Sequence, residues 1–402
     1  MPLEVVETLC DLVSIPSVNP MGRDVSGDEY FEYALTDRLE QIFKDLRLPY
    51  ERQQVEPRRD NIVARLEGDR TTGEKTPIIV FEAHQDTVPV EGMTIPPWTP
   101  EVRDGRVTGR GACDIKGGMA CMLAALSRLA DERPGGMPTI VMACSVNEEH
   151  GFGGAEAMGR LWANGKSSLV PRIPDAVLVA EPTELNIVVA HKGVARWQMH
   201  TLGRAVHSSM PEQGSNAIYG MARVLAALED YAVNVVPQLK SHPLVGSPTL
   251  SVGLISGGIS VNTVPDRCTI EIDRRVVPGE NYLKAYEAVV EFLNQRCANT
   301  ELEHDEPYIG ADALSDARNG PLARHLQGLV RAKEGADRGQ VVGVPYGTDA
   351  VVFDRIGAPT VVFGPGSIQQ AHTCNEWIAI DQLQKATEIY YEFGKQGLPS
   401  EC

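Results

Sequence analysis

Unbroken apolar runs of strand length recur along the first half of the chain and once near its end, each closed by turn-forming or polar residues. Residues 76–80, 139–146, 176–180 and 359–363 are such runs. With few polar positions to face water, they predict strands covered on both faces of a sheet. Residues 50–54 and 61–67 predict two more. Elsewhere the apolar spacing turns helical, at residues 3–12, at about 28–45, and in an Ala/Leu/Met-rich stretch at about 119–130 that follows a glycine-rich turn over 109–118. Strands alternating with helices predict an α/β fold, a mixed, mostly parallel sheet flanked by helices.

The pattern changes after about residue 190. Strand 194–202, helix 214–232, strands 249–254 and 267–276, helix 279–298 and strand 301–306 follow in the order βαββαβ, the ferredoxin-like α+β plan, which is complete in itself. Residues 191–307 therefore read as an inserted domain, and the surrounding α/β domain is discontinuous, made of residues 1–190 and 308–402. The sequence shows no internal repeat or low-complexity tract.

Composition narrows the partners. The chain has 402 residues, 43% of them hydrophobic and 6% aromatic, enough for two globular domains. No apolar stretch approaches the roughly 20 residues that span a bilayer, and the N-terminus lacks the basic start of a secretory leader, so no membrane partner is expected. A formal net charge of −17 argues against nucleic acid, which binds basic faces. Eight cysteines without CxxC spacing predict reduced thiols in a cytoplasmic protein, with Cys113 and Cys374 as small buried packing residues.

Candidate chemistry gathers where α/β sheets bind ligands, beyond the C-terminal ends of the strands. The first buried run leads to His84 and Asp86, the second to Glu148 and Glu149, the third to Glu181, and the fourth to Gly364-Pro365-Gly366 and then His372. Asp114 lies in the glycine-rich turn. One histidine beside one aspartate is ordinary hydrogen bonding. Two histidines and several carboxylates along one rim are a ligand set for borderline divalent cations.

These separated motifs resemble the M20 family of metallohydrolases, which groups acetylornithine deacetylases, succinyl-diaminopimelate desuccinylases, aminoacylases and glutamate carboxypeptidases. The likeness covers essentially the whole chain, insert included. It implies a zinc-peptidase-like domain with two divalent ions, zinc or sometimes cobalt, and a small domain that mediates homodimerisation. Carried over motif by motif, His84 and Glu181 hold one ion, Glu149 and His372 the other, and Asp114 bridges them. Asp86 stands behind His84 and fixes its tautomer, and Glu148 is the general base. Two divalent cations against three carboxylates leave a net charge of +1, which favours an acidic water and a polarised carbonyl, hence amide hydrolysis.

In the insert, His207 matches the histidine that stabilises the tetrahedral oxyanion. Asn262 and Arg274 match residues that hold the substrate carboxylate; the choice of Arg274 over Arg275 is open, as is which face of that strand is buried. Gly364 and Gly366 are candidates to offer backbone N–H groups to the same anion, with tight-turn glycines as the simpler reading. The resemblance implies a small N-acyl amino acid or short peptide with a free carboxylate as substrate, closest to acetylornithine deacetylase. Desuccinylase and carboxypeptidase or dipeptidase activity, and a non-catalytic scaffold of the same fold, are the alternatives.

Overall fold

A computed structural model describes residues 2–69 and 75–399; the rest, Met1 and Cys402 among them, lie outside the described residues. The chain forms two compact units, one of residues 1–189, 316–342 and 348–402, the other of residues 190–315 and 343–347.

The first unit begins with helix Val5–Val13 and helix Tyr33–Asp45. The second helix starts later than the apolar spacing suggests, because Phe31 takes a left-handed φ of 70° that no helix interior tolerates. Strands β1 (Tyr50–Glu56), β2 (Arg59–Leu66), β3 (Ile78–His84), β4 (Glu101–Arg103), β5 (Arg106–Thr108), β6 (Thr139–Ser145), β7 (Ala176–Val179) and β8 (Ile187–His191) follow. The chain then passes through the other unit, with β9 (Gly193–Leu202), β10 (Thr249–Gly257), β11 (Arg267–Val276), β12 (Leu302–His304) and β13 (Ile309–Ala311). Strands β14 (Val341–Val344), β15 (Thr360–Val362) and β16 (Trp377–Ala379) complete it.

The main sheet has the order β1-β2-β6-β3-β7-β15-β8-β14. Its centre, β6-β3-β7-β15, is parallel, and β2 and β8 join that centre antiparallel. Every residue of β3, β6, β7 and β15 is buried, as runs without polar alternation require. Ile79, Phe81 and Ala83 of β3 share one apolar cluster with Leu126 and Leu129 of helix Lys116–Glu132 and with Ile389 and Phe393 of helix Ile380–Gln396. A β-carbon on Gly118 would lie 2.9 Å from that of Ala180, so glycine at the start of helix Lys116–Glu132 lets it approach the end of β7.

A second, three-stranded sheet, β16-β5-β4, is too short to leave an apolar pattern in the sequence. It registers two loops that matter below: Trp377 pairs with Thr108 and Ile378 with Val107.

The other unit is antiparallel, ordered β10-β11-β9-β12, with β13 also on β9. Helices Ala217–Asp230 and Tyr282–Arg296 supply Met221, Val224, Val289 and Leu293 to a core shared with Trp197, Met199, Ile270 and Ile272. This unit reaches beyond residue 307, because Ile309 pairs with Arg196 and Ala311 with Val194. Along β11 burial alternates, so Arg274 falls on the buried face with Ile270 and Ile272, and Arg275 on the other. No helix among the described residues is long and apolar enough to cross a membrane.

Candidate metal centre

His84 closes β3 and is buried. Its Nδ1 lies 2.9 Å from the Asp86 carbonyl oxygen, which can only accept. Nδ1 therefore donates to that carbonyl, and Nε2 faces Asp114 Oδ1 at 3.2 Å and Glu181 Oε1 at 3.9 Å, where a cation would meet its lone pair. The other Asp114 oxygen, Oδ2, lies 3.4 Å from His372 Nε2, which is also 3.2 Å from Glu149 Oε2. Two ligand groups result, His84 with Asp114 and Glu181, and Asp114 with Glu149 and His372, each with its ligand atoms within 4.8 Å of one another. Asp114 turns one oxygen to each group, as a bridging carboxylate would. Glu149 Oε1 is buried without a hydrogen-bond partner, an acceptor that a cation would satisfy. Imidazole and carboxylate donors in this number fit two divalent ions.

Crowded carboxyl groups set the electrostatics. Burial, then the charge of Asp114, pushes Glu181 well above the usual carboxylate range. Burial also raises Glu149, with His372 opposing. Glu148 is driven well up by burial, with Glu181, Asp349 and Glu149 adding to it and His84 opposing. Burial works against Asp114 too, but hydrogen bonds from His372 and His84 hold it below its ordinary value. Hydrogen bonds to Asp114 and Glu149 raise His372 to about 11. In metal-free protein, protons take the place of cations.

This has a pH consequence with a definite sign. A group raised on folding contributes stability that is complete below its unfolded value and lost as pH climbs through its folded value. For His372 that loss spans 6.5 to about 11, and Glu181 and Glu148 lose theirs in the same direction from 4.5 upward. Asp114, depressed, acts oppositely but only at acid pH. Melting of the chelator-treated protein is therefore expected to fall between about pH 6.5 and about pH 9, while the metal-loaded protein changes less and the gap widens. A metal-free melting temperature that rises over this range would contradict the arrangement.

Glu148 and Glu149 follow β6 in a loop whose backbone is tied down residue by residue. Val146 N–H donates to Asn61 Oδ1 at 3.1 Å and Asn147 N–H to Glu32 Oε1 at 3.2 Å. The N–H groups of Glu148 and Glu149 donate to Asp86 Oδ1 and Oδ2, each at 3.1 Å. Asn19 Nδ2 donates to Asp86 Oδ2 at 2.7 Å, and Arg59 forks onto buried Glu32 at 2.8 and 2.9 Å. Here the structure departs from expectation. The Asp86 carboxylate stands 3.7 Å from His84 Nδ1, and its backbone carbonyl orients the ring. Its carboxylate instead holds the loop of Glu148 and Glu149. Asn19, Glu32, Asn61 and Arg59 carried no sequence signal for this work.

Gly364 and Gly366 also differ from expectation. The Gly364 N–H donates to Thr183 Oγ1 at 3.0 Å and that of Gly366 to Gln382 Oε1 at 2.8 Å, so neither is free for an anion. A β-carbon on Gly364 would come within 2.6 Å of the Glu181 carbonyl oxygen, so this glycine lets the chain pass the backbone of a ligand. Cys113 is buried as expected, and Cys374 is exposed.

In the second unit, His207 is exposed, and its Nδ1 accepts the Ser209 N–H at 3.2 Å and faces Ser209 Oγ at 2.7 Å. The neutral ring then carries its proton on Nε2. Asn262 lies on the adjoining segment, where its carbonyl accepts the Ser208 N–H at 3.0 Å and Thr263 bridges to His207. Arg274 is 1% exposed, with Nη2 on Glu280 Oε1 at 2.9 Å, so its guanidinium is already committed to a carboxylate of the same chain. The expected role of holding substrate does not match that placement; the buried face of β11 puts it there. Arg275 is paired with Asp273 at 2.7 Å.

Residues 80–396 match the family described as peptidase family M20/M25/M40. The chain is 30% identical over 336 residues to acetylornithine deacetylase from Myxococcus xanthus, covering 82% of each. It is 29% identical to acetylornithine deacetylase from Vibrio campbellii, covering 96% of each, and 27% identical to a probable succinyl-diaminopimelate desuccinylase from Staphylococcus aureus, covering 98% of each. Among solved structures, an M20 family metallo-carboxypeptidase from Sulfolobus solfataricus superposes with a TM-score of 0.76 at 19% identity, over 98% of this chain and 99% of the other. At that identity the likeness speaks for the fold alone.

Proposed function

Because this chain belongs to peptidase family M20/M25/M40, and is thereby a metal-dependent hydrolase, we propose that it removes the acyl group of a small N-acyl amino acid, with an acetylornithine-like substrate foremost. The observation that carries this reading is Asp114 standing between two histidine–carboxylate groups with Glu148 beside them. His84 and Glu181 would hold one ion, Glu149 and His372 the other, and Asp114 both, with zinc favoured by the donor set and cobalt able to replace it. When bound, such ions polarise the amide carbonyl and acidify water at the site.

The chain's own groups do the rest. Glu148, held basic by burial, takes the proton of the attacking water and passes it to the departing amine. Asp86 fixes where Glu148 stands by accepting its backbone N–H. His207, with its proton on Nε2, is suited to donate to the oxyanion, and Asn262 beside it to hold the substrate. Exposed apolar side chains of the second unit, Leu254 and Ile255 of β10 and Tyr219 of helix Ala217–Asp230, each 57–68% exposed, support a homodimer formed through that unit. A reduced, cytoplasmic setting suits seven described cysteines that are all free.

The test is a panel of substrates for the zinc- or cobalt-loaded protein. N-acetyl amino acids, N-acetylornithine among them, should be hydrolysed with a kcat/KM at least about tenfold above N-succinyl amino acids and dipeptides, since a fitted pocket discriminates by about 1–3 kcal/mol. A preference for succinyl or peptide substrates would move the assignment within the family; no hydrolysis of any class with metal bound would overturn it.

A further inference from the structure

The loops that carry Asp114 and His372 come from distant parts of the sequence and are brought together by short backbone pairing. β16 pairs with β5, and the Gly109 N–H donates to the Glu376 carbonyl at 3.1 Å. That pairing sets the spacing of the two segments. It does not by itself set the turn over residues 110–114, nor the aim of the Asp114 carboxylate.

The side chain of Glu376 grips that turn directly. It is fully buried and 262 residues from Asp114 in sequence. Oε1 accepts the Cys113 N–H at 2.8 Å and the Asp114 N–H at 3.0 Å. Oε2 accepts the Gly111 N–H at 3.1 Å and Arg110 Nη1 at 2.7 Å. Four donors converge on one carboxylate, and three of them are backbone groups of the turn that presents the bridging ligand. Glu376 follows His372 by four residues, so one side chain ties the His372 loop to the Asp114 turn.

We propose that Glu376 is the positioning residue of the dinuclear centre, a buried carboxylate that holds Asp114 in register with His372 so that both oxygens of Asp114 face ligand groups. This rests on the dinuclear reading above. The donor pattern makes the carboxylate hard to replace. In Glu376→Gln the amide nitrogen would point its hydrogens at two donors, whichever way it turned, so the near-isosteric change should be about as harmful as truncation. Glu376→Asp keeps the charge but is shorter by about 1.5 Å, and can serve one pair of donors but not both.

The experiment titrates zinc into metal-stripped protein against a chromophoric chelator, for the wild type, E376Q, E376D and L129A. Leu129 is a buried core residue toward the far end of helix Lys116–Glu132, and its truncation serves as a control for lost stability. The wild type should bind two equivalents. E376Q and E376D should hold one of them about 10- to 100-fold more weakly, while L129A melts lower and binds both normally. The proposal is overturned if folded E376Q or E376D binds both equivalents as the wild type does. It is equally overturned if L129A loses zinc to the same extent, or if neither Glu376 variant folds, since Glu376 would then be a general structural residue. Fewer than two equivalents on the wild type would instead defeat the dinuclear reading and take this proposal with it.

Discussion

Replacing Glu148 by glutamine is expected to lower turnover by about 10²–10⁴-fold with metal content and fold unchanged. Glutamine keeps the shape and the hydrogen-bonding reach of the side chain but cannot take a proton from water. Glu148 belongs to neither ligand group, so its loss should leave both groups intact. Its backbone position is set by the Asp86 carboxylate, which the substitution does not touch. The effect should therefore fall on kcat, with KM changing by less than about threefold, because substrate binding does not depend on the proton transfer. Steady-state kinetics and metal analysis on the same preparation would show it. Activity within a few-fold of the wild type, with both metals present, would remove Glu148 from its role.

The second large effect is expected on removing metal. A chelated protein should lose hydrolysis by at least about 10³-fold, since polarisation of the carbonyl and acidification of water are each worth several kcal/mol. The protein has no substitute for the ions. Without them His372 is raised to about 11 and protonated, and Asp114 spends its oxygens on hydrogen bonds with His84 and His372. Those protons must leave when cations bind, so uptake should weaken as pH falls. Adding zinc or cobalt back should restore activity, whereas magnesium should not, because imidazole ligands suit the former.

The parts of this architecture that were legible in the sequence share a physical reason. A strand buried on both faces cannot alternate, so β3, β6, β7 and β15 advertise themselves as solid apolar runs, and the rim they share draws attention to His84, Glu148, Glu149, Glu181 and His372. The rest depends on contacts between residues far apart in sequence. β4, β5 and β16 have three residues each and no usable period, yet they set Asp114 beside His372. Asp86 was readable as a group near His84, but not as the acceptor for the Glu148 and Glu149 amides 62 and 63 residues on. Arg274 shares its side of the strand with Ile270 and Ile272, but the sequence leaves open which side is buried, and the sheet and Glu280 turn it inward. Gly364 and Gly366 looked like free backbone donors because the sequence cannot show Thr183 and Gln382 already accepting from them.

The central claim, that two cations held by His84, Asp114, Glu149, Glu181 and His372 drive amide hydrolysis, is tested most directly by a stoichiometric titration. Zinc is added in fractions of an equivalent to metal-stripped protein, and hydrolysis of N-acetylornithine is followed at each addition. The account predicts a rise from the chelated baseline to a plateau at two equivalents per chain. Hydrolysis that persists undiminished in excess chelator, or zinc uptake to two equivalents with no hydrolysis of any acylated amino acid, would contradict it.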